Sequence, residues 1–109
     1  MQDIIFSTNW NHKLSCKVFS TVRLSNHNRY KLNEVYNIIE KRNASTEVRF
    51  QAQIIHIMSM MLKEIPEWLC YLDTGYGSTD FYNIVKKIYK NSNIDINTCL
   101  FDVLLLKVI

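Results

Sequence analysis

The chain has 109 residues, of which 48% are hydrophobic and 21% are charged, and its formal net charge at pH 7 is +3. This length and apolar content predict one domain, spanning residues 1–109, and exclude an intrinsically disordered chain. The presence of only two glycines and one proline excludes a glycine-rich phosphate loop and a collagen-like repeat.

The first half of the chain predicts three strands. They span residues 3–7, 17–24 and 34–40. Between the first two strands, Asn9 or Asn11 is placed to cap a short helical turn. Asn33 precedes the third strand, and asparagine tolerates the left-handed backbone that a tight turn requires.

The clearest alternation of the chain begins at Glu47. Apolar residues at positions 48, 50, 52 and 54 alternate with polar ones, which predicts a half-buried antiparallel strand after a turn at 41–46. His56 falls on the apolar side of this strand and is predicted to pack in the core. Three methionines that follow it are also predicted to fill the core: Met58, Met60 and Met61.

Two amphipathic helices and a last strand complete the chain. The first helix is indicated by apolar residues at helical spacing: Ile65, Trp68, Leu69 and Leu72. The second is indicated in the same way, with Ser78 as its cap, by Phe81, Ile84, Val85, Ile88 and Tyr89. The apolar run 99–108 predicts a central or closing strand. The pattern is therefore α+β, with about five strands that curl into a small barrel beside two to three helices.

Positive charge is concentrated in the first third of the chain. Residues 1–33 hold one acid, Asp3, against five bases: Lys13, Lys17, Arg23, Arg29 and Lys31. This bias suits an anionic partner such as RNA or a nucleotide, and the affinity for such a partner falls as the salt concentration rises.

Metal, disulfide and membrane functions are disfavoured by the sequence. Cys16, Cys70 and Cys99 are widely spaced and form no C-x-x-C pair, and the histidines lack metal-ligand spacing. Residues 1–6 lack the basic start and apolar stretch of a secretion signal, and no apolar run reaches the roughly 18 residues that cross a bilayer. We therefore expect a cytoplasmic protein with no metal, no cofactor and no membrane partner.

The segment Lys17-Val18-Phe19-Ser20-Thr21-Val22-Arg23 carries the main functional signal. Its alternation places Thr21 and Arg23 on one face of a strand, so that a hydroxyl and a guanidinium point the same way. Asn33-Glu34 and then Val35-Tyr36 begin ten residues after the arginine. This ordered set resembles the activating signal cointegrator homology (ASCH) domains of the PUA-like superfamily, in which a Thr-x-Arg strand precedes a Gly-Asp turn and a hydrophobic strand. The resemblance covers nearly the whole chain and implies a PUA-like barrel.

The resemblance also implies a ligand cleft between the barrel and the helices. The Thr-x-Arg strand lines this cleft in ASCH-like domains, so Arg23 is implied to bind phosphate or a base edge with its planar fork of donors. The implied ligand-binding residues are Lys17, Thr21, Arg23, Asp73, Thr74, Gly75 and Tyr76. In the loop, Gly75 lets the backbone approach a ligand and Tyr76 offers a stacking face for a base. The alternative interpretation of this loop is a glycine that caps the end of one helix before the next begins.

Some small family members that this chain resembles are amidohydrolases that remove the acyl group from acetylated cytidine. Their threonine nucleophile, lysine base and acid imply Thr21, Lys17 and Asp73 as catalytic residues here. Lys17 lies four residues before Thr21, where the family lysine lies three before it, and the family acid aligns with Thr74 beside Asp73. Because of these two displacements, we favour RNA or nucleotide binding over catalysis. The alternatives are the amidohydrolase, an RNA-cleaving enzyme, and a protein-interaction module with a blocked cleft.

Overall fold

Within residues 2–42 and 45–109, which the computed structural model describes, five strands form one curled sheet. The strands are β1 (Asp3–Phe6), β2 (Val18–Leu24), β3 (Val35–Arg42), β4 (Ser45–Met60) and β5 (Phe101–Val108). The helices are α1 (Glu67–Thr74) and α2 (Ser78–Ile88), with short 3₁₀ segments at Trp10–Ser15 and Leu62–Glu64. The predicted α+β fold, a small barrel-like sheet of about five strands beside helices, is confirmed.

The order of strands across the sheet is β1-β3-β4-β5-β2. β1 runs parallel to β3, and the other neighbouring pairs are antiparallel. The last apolar run of the chain is therefore a central strand, as predicted. Asn33, with a φ of 70°, makes the left-handed turn predicted ahead of β3. Of the turn predicted at 41–46, residues 43 and 44 lie outside the described residues, and the residues beside them belong to β3 and β4.

β1 and β2 are the two edges of the sheet, and arginine side chains join the open edge of β1. Arg23, on β2, donates a hydrogen bond from Nη2 to the carbonyl oxygen of Ile5 at 2.8 Å, and Arg29 donates to the carbonyl oxygen of Asp3. Both carbonyls point away from β3, because alternate residues of a strand bond to opposite sides. The arginines therefore satisfy backbone acceptors on an edge that no other described strand covers.

A bulge in β4 reverses which of its side chains face the core. Relative to β5, the strand carries one extra residue, Ile55. One extra residue moves a period-two pattern to the opposite face of the sheet. His56 is therefore exposed and Met58 is 48% exposed, so the prediction that both pack in the core is wrong. Met60 and Met61, which follow them, are partly buried.

Helix α1 buries a different face from the one that its apolar residues predict. Trp68 is 64% exposed and Leu72 is 60% exposed, whereas Cys70 and Asp73 are buried. The reason is that Asp73 makes polar contacts with β2 and with the first 3₁₀ segment. These contacts hold Asp73 inward. Of the predicted apolar stripe, Trp68 and Leu72 lie on the surface, whereas Leu69 is partly buried.

Helix α2 packs largely as its pattern predicts. Phe81 is buried, while Ile88, the last residue of α2, is 61% exposed. The N-cap residue is Gly77 rather than the predicted Ser78. The Ser78 N–H instead lies within the first turn and donates a hydrogen bond to the Glu67 carboxylate at 3.1 Å, so a side chain from α1 supplies the cap acceptor.

Two apolar clusters fill the molecule and meet beside α2. The first is formed mainly by the strands and consists of Ile4, Phe6, Leu14, Phe19, Tyr36, Ile38, Ala52, Ile54, Leu104 and Leu106. The second joins the helices to β5 and consists of Leu62, Ile65, Cys70, Phe81, Val85, Ile96, Phe101 and Val103. Phe6 of the first cluster and Phe81 of the second both line one cavity, which therefore lies where the two clusters meet.

Candidate functional site

A cavity of about 250 Å³ opens between α2, the N-terminal part of the chain and strand β2. Its polar side is formed by residues from three separate segments, the first 3₁₀ segment, β2 and α1: Lys13, Thr21, Arg23, Asp73 and Thr74. Its apolar side is one face of α2: Phe81, Ile84, Val85 and Ile88. The volume is slightly below the roughly 300–1,000 Å³ that is usual for small-molecule pockets, so the cavity suits a single small ligand.

Strand β2 directs Thr21 and Arg23 into this cavity. The two residues lie on the same face, as their spacing predicts, and Arg23 Nε donates a hydrogen bond to Thr21 Oγ1 at 3.1 Å. The guanidinium carbon of Arg23 lies 4.7 Å from the centre of the Phe6 ring, a distance typical of a cation–π contact. Together with the bond to the carbonyl of Ile5, these contacts hold the guanidinium in one orientation.

Burial also changes the electrostatics of Arg23. It lowers the pKa of the guanidinium from its ordinary value, with the nearby Tyr30 and Tyr89 acting in the opposite direction. An arginine nevertheless keeps its charge in proteins. The cavity therefore contains a fixed cation at its polar side.

A buried ion pair forms the deepest polar contact of the site. Lys13 Nζ lies 3.1 Å from Asp73 Oδ1, and both side chains are 6% exposed. Ser20 Oγ donates a hydrogen bond to the same carboxylate oxygen at 2.8 Å. Burial lowers the pKa of the Lys13 ammonium, while the charge of Asp73 and its hydrogen bond act to raise it. Asp73 thus compensates most directly the charge that Lys13 brings into the interior.

The 3₁₀ segment places Lys13 through an unusual backbone path. Asn11 and His12 both have positive φ values, 56° and 52°, which are uncommon for residues with a Cβ atom. The Asn11 side chain donates to the carbonyl oxygens of Tyr71 and Leu72 at 3.4 and 3.3 Å, at the end of α1. This contact joins the segment to the helix that carries Asp73, and so brings the two halves of the ion pair together.

The structure brings together some of the predicted site residues and not others. Thr21, Arg23, Asp73 and Thr74 line the cavity. Lys17 is exposed at the start of β2, because the strand begins only at residue 18 and the side chain lies beyond the cavity wall. Lys13 occupies the position that the sequence assigned to a lysine of the strand.

Lys13 was not predicted, because the resemblance implies a lysine shortly before Thr21 in the same segment of the chain. The lysine instead comes from the helical turn that precedes the strand. The available signal was weak: Lys13 directly precedes the apolar residue Leu14, which is buried in the structure. Nothing in the spacing indicates that this turn folds onto α1.

The loop after α1 serves mainly to end the helix. Gly75 has a φ of 83° and is the C-cap residue of α1, a conformation in which glycine is favoured. Thr74 Oγ1 donates to the carbonyl oxygen of Cys70 at 3.0 Å and accepts from the Tyr76 N–H at 3.2 Å. Tyr76 packs edge to face with Trp10, and it is Trp10 that lines the cavity. The aromatic face predicted at Tyr76 is therefore supplied by Trp10.

The charge of the N-terminal third is directed inward more than the sequence predicts. Lys13 and Arg23 face the cavity, and Arg29 is bonded to the edge of β1. Lys17 and Lys31 are exposed. A stretch of RNA backbone would therefore meet less positive surface here than the number of basic residues in the N-terminal third suggests.

A separate apolar groove of about 480 Å³ lies on the other side of α1. Its lining includes exposed apolar side chains of α1, β2 and β4: Val18, Met58, Trp68 and Leu72. Lys13 borders both the groove and the cavity. The groove contains little charge and differs from the cavity in this respect.

Among the residues that the structure describes, no three His, Cys, Asp or Glu side chains are grouped so as to hold a metal ion. No helix of the described ranges is long and apolar enough to cross a membrane. Comparison of the chain with protein-family models, with curated proteins and with solved structures finds no match.

Proposed function

We propose that the domain binds a nucleoside- or nucleotide-like ligand, free or as one unpaired nucleotide of an RNA, in the cavity beside Arg23. The observation that carries the proposal is the position of Arg23, a fixed cation that faces an apolar wall across one small cavity. Arginine recognises phosphate and base edges through its planar fork of donors. An apolar wall accepts the face of a base.

The size of the site favours one nucleotide over a length of RNA. A volume of about 250 Å³ admits a single ligand of this kind. Trp10 lines the cavity and is held edge to face against Tyr76, with ring centroids 6.0 Å apart. The fluorescence of Trp10 should therefore change when a base enters the cavity.

Tryptophan fluorescence tests the proposal. The protein has two tryptophans, of which Trp10 lines the cavity and Trp68 lines the separate groove. In Trp68→Phe, which retains Trp10, we expect added cytidine, uridine, adenosine or guanosine to quench the emission and to reach saturation. The matched variant Trp10→Phe, which retains Trp68, should show no saturable change. Equal changes in both variants, or no saturation in either, would contradict the proposal.

The second candidate function is the removal of the acyl group from acetylated cytidine. One observation favours it: Thr21, Lys13 and Asp73 line the same cavity, so a hydroxyl, an amine and a carboxylate meet there. A lysine acts as a general base when burial lowers its pKa, and burial has this effect on Lys13. The resemblance implies Lys17 in this role, and we propose Lys13 in its place because Lys13 lines the cavity.

We expect the hydrolysis of acetylated cytidine to be slow or undetectable. Lys13 is paired with Asp73 at 3.1 Å, and this carboxylate opposes the effect of burial by acting to raise the pKa of the Lys13 ammonium, which favours the form that cannot act as a base. Thr21 Oγ1 already accepts a hydrogen bond from Arg23. General acid–base groups typically contribute about 10²- to 10⁴-fold to a rate. Because Lys13 and Thr21 are engaged in other contacts, most of this rate enhancement should be absent. Chromatography of the nucleoside after incubation with the protein measures the turnover.

Three variants separate the outcomes of that assay. Rapid turnover that is lost in Thr21→Val and in Lys13→Met, but kept in Lys17→Ala, would show that the protein is an enzyme with Lys13 in its site. Rapid turnover that survives Thr21→Val would exclude the threonine as nucleophile.

A further inference from the structure

We propose that the ligand of the cavity is a small amphipathic monoanion, with its single negative charge at Arg23 and its apolar body on α2. This inference rests on the proposed function and narrows it. Among nucleotides it selects a singly charged phosphodiester, such as a nucleoside 2′,3′-cyclic monophosphate, over a di- or triphosphate.

The charge balance of the cavity favours a ligand with one negative charge. Of the described residues that line it, two are cations, Lys13 and Arg23, and one is a carboxylate, Asp73. The Lys13 charge is compensated by Asp73 at 3.1 Å. The uncompensated charge is therefore the one on Arg23, and one negative charge neutralises it.

A highly charged ligand is disfavoured by the same balance. Moving a charge from water into a partly enclosed site costs free energy unless an opposite charge meets it there. A nucleoside triphosphate brings several negative charges to a single available cation. It would also approach the Asp73 carboxylate, which repels it.

The Arg23 guanidinium has hydrogen-bond donors left for an anionic ligand. Within the described residues the guanidinium uses Nε toward Thr21 and one Nη2 hydrogen toward the carbonyl of Ile5. A guanidinium has five N–H donors in a fixed plane, so three remain for a ligand. Phosphate and carboxylate oxygens accept such donors in pairs.

The apolar wall of the cavity favours a ligand that also has an apolar or flat body. Phe81, Ile84 and Val85 present one side of α2 to the cavity, and Ile88 extends that side to the exterior. A neutral apolar or flat group gains free energy by leaving water at this wall. A ligand with one anionic end and one flat body therefore matches both sides of the cavity.

Titration calorimetry at constant ionic strength tests the inference with three probes that share one base. These are cytidine, cytidine 2′,3′-cyclic monophosphate and cytidine triphosphate. We expect the cyclic monophosphate to bind tightest, by roughly 10- to 100-fold over cytidine, because hydrogen bonds to a charged group are worth about 1.5–3 kcal/mol. The triphosphate should bind at least about tenfold more weakly than the cyclic monophosphate.

Arg23→Gln should abolish the preference for the cyclic monophosphate over cytidine, whereas Lys17→Gln, which removes the same charge outside the cavity, should retain it. Should Arg23→Gln not fold, Arg23→Lys keeps the charge without the fork and is expected to reduce the preference. Tightest binding of the triphosphate, or a preference that survives in Arg23→Gln, would overturn the monoanion inference and leave nucleotide binding standing. Failure of all three probes to bind would overturn both.

Discussion

Asp73→Ala is expected to lower the free energy of unfolding by about 3–5 kcal/mol, the usual cost of removing one partner of a buried ion pair. The Lys13 and Asp73 side chains are each 6% exposed and lie 3.1 Å apart, so little water reaches Lys13 to replace the lost carboxylate. The substitution also leaves the Ser20 hydroxyl without its acceptor. Urea denaturation at neutral pH, compared with the unsubstituted protein, measures the loss.

A double variant shows whether the loss arises from the uncompensated charge. Lys13→Met together with Asp73→Leu removes both charges and puts apolar side chains in their place. Replacing a buried pair by apolar residues is often neutral or stabilising, so most of the stability should return. A control at an exposed lysine, Lys17→Ala, should change the free energy of unfolding by less than about 0.5 kcal/mol. A loss below about 1 kcal/mol in Asp73→Ala would show that the pair is not a buried contact.

Asp102→Ala is expected to be the other severely destabilising change, at about 3 kcal/mol, since hydrogen bonds to a charged group are each worth about 1.5–3 kcal/mol. Asp102 is 2% exposed. Its carboxylate accepts hydrogen bonds from Ser25 Oγ at 2.9 Å, Ser59 Oγ at 2.6 Å and the Asn26 N–H at 3.1 Å. It therefore joins β4 and the loop after β2 to the central strand β5.

Two milder substitutions should lower the stability by less than Asp102→Ala does. Asp102→Asn keeps the shape and one acceptor oxygen, and Ser59→Ala removes a single donor. Both should cost less than Asp102→Ala, and thermal melts of the three variants should follow that order. Equal melting temperatures for Asp102→Ala and the unsubstituted protein would mean that the carboxylate contributes nothing to the fold.

Features set by local patterns were predictable from the sequence. The five strands and both helices were predicted close to where they lie, because alternation and helical spacing depend on neighbouring residues alone. The same holds for the common face of Thr21 and Arg23, and for Asn33 in its left-handed turn. Their local signals agree with the global fold.

Features set by distant contacts were not predictable. The bulge at Ile55 depends on the pairing of β4 with β5, and it exposes His56 against the alternation. The buried face of α1 is decided by Asp73, whose partner Lys13 lies sixty positions earlier in the chain. An ion pair of this kind leaves no periodic signal, so the sequence offered no pointer to Lys13, and the resemblance implied Lys17 instead.

Arg23 contributes to the fold as well as to the candidate site. The resemblance to ASCH domains implies that Arg23 binds a ligand. In the structure the same side chain donates to the edge of β1 and lies on the Phe6 ring. We therefore expect variants at this position to lose some stability as well as affinity, and binding must be measured below the melting transition of each variant.

The most direct test of ligand binding in the cavity is a map of amide chemical shifts by NMR during titration with cytidine 2′,3′-cyclic monophosphate. We expect saturable shifts at Thr21, Arg23 and Thr74, with little change at the groove residues Met58 and Trp68. Saturable shifts confined to the groove, or no saturable shifts at all, would contradict the account.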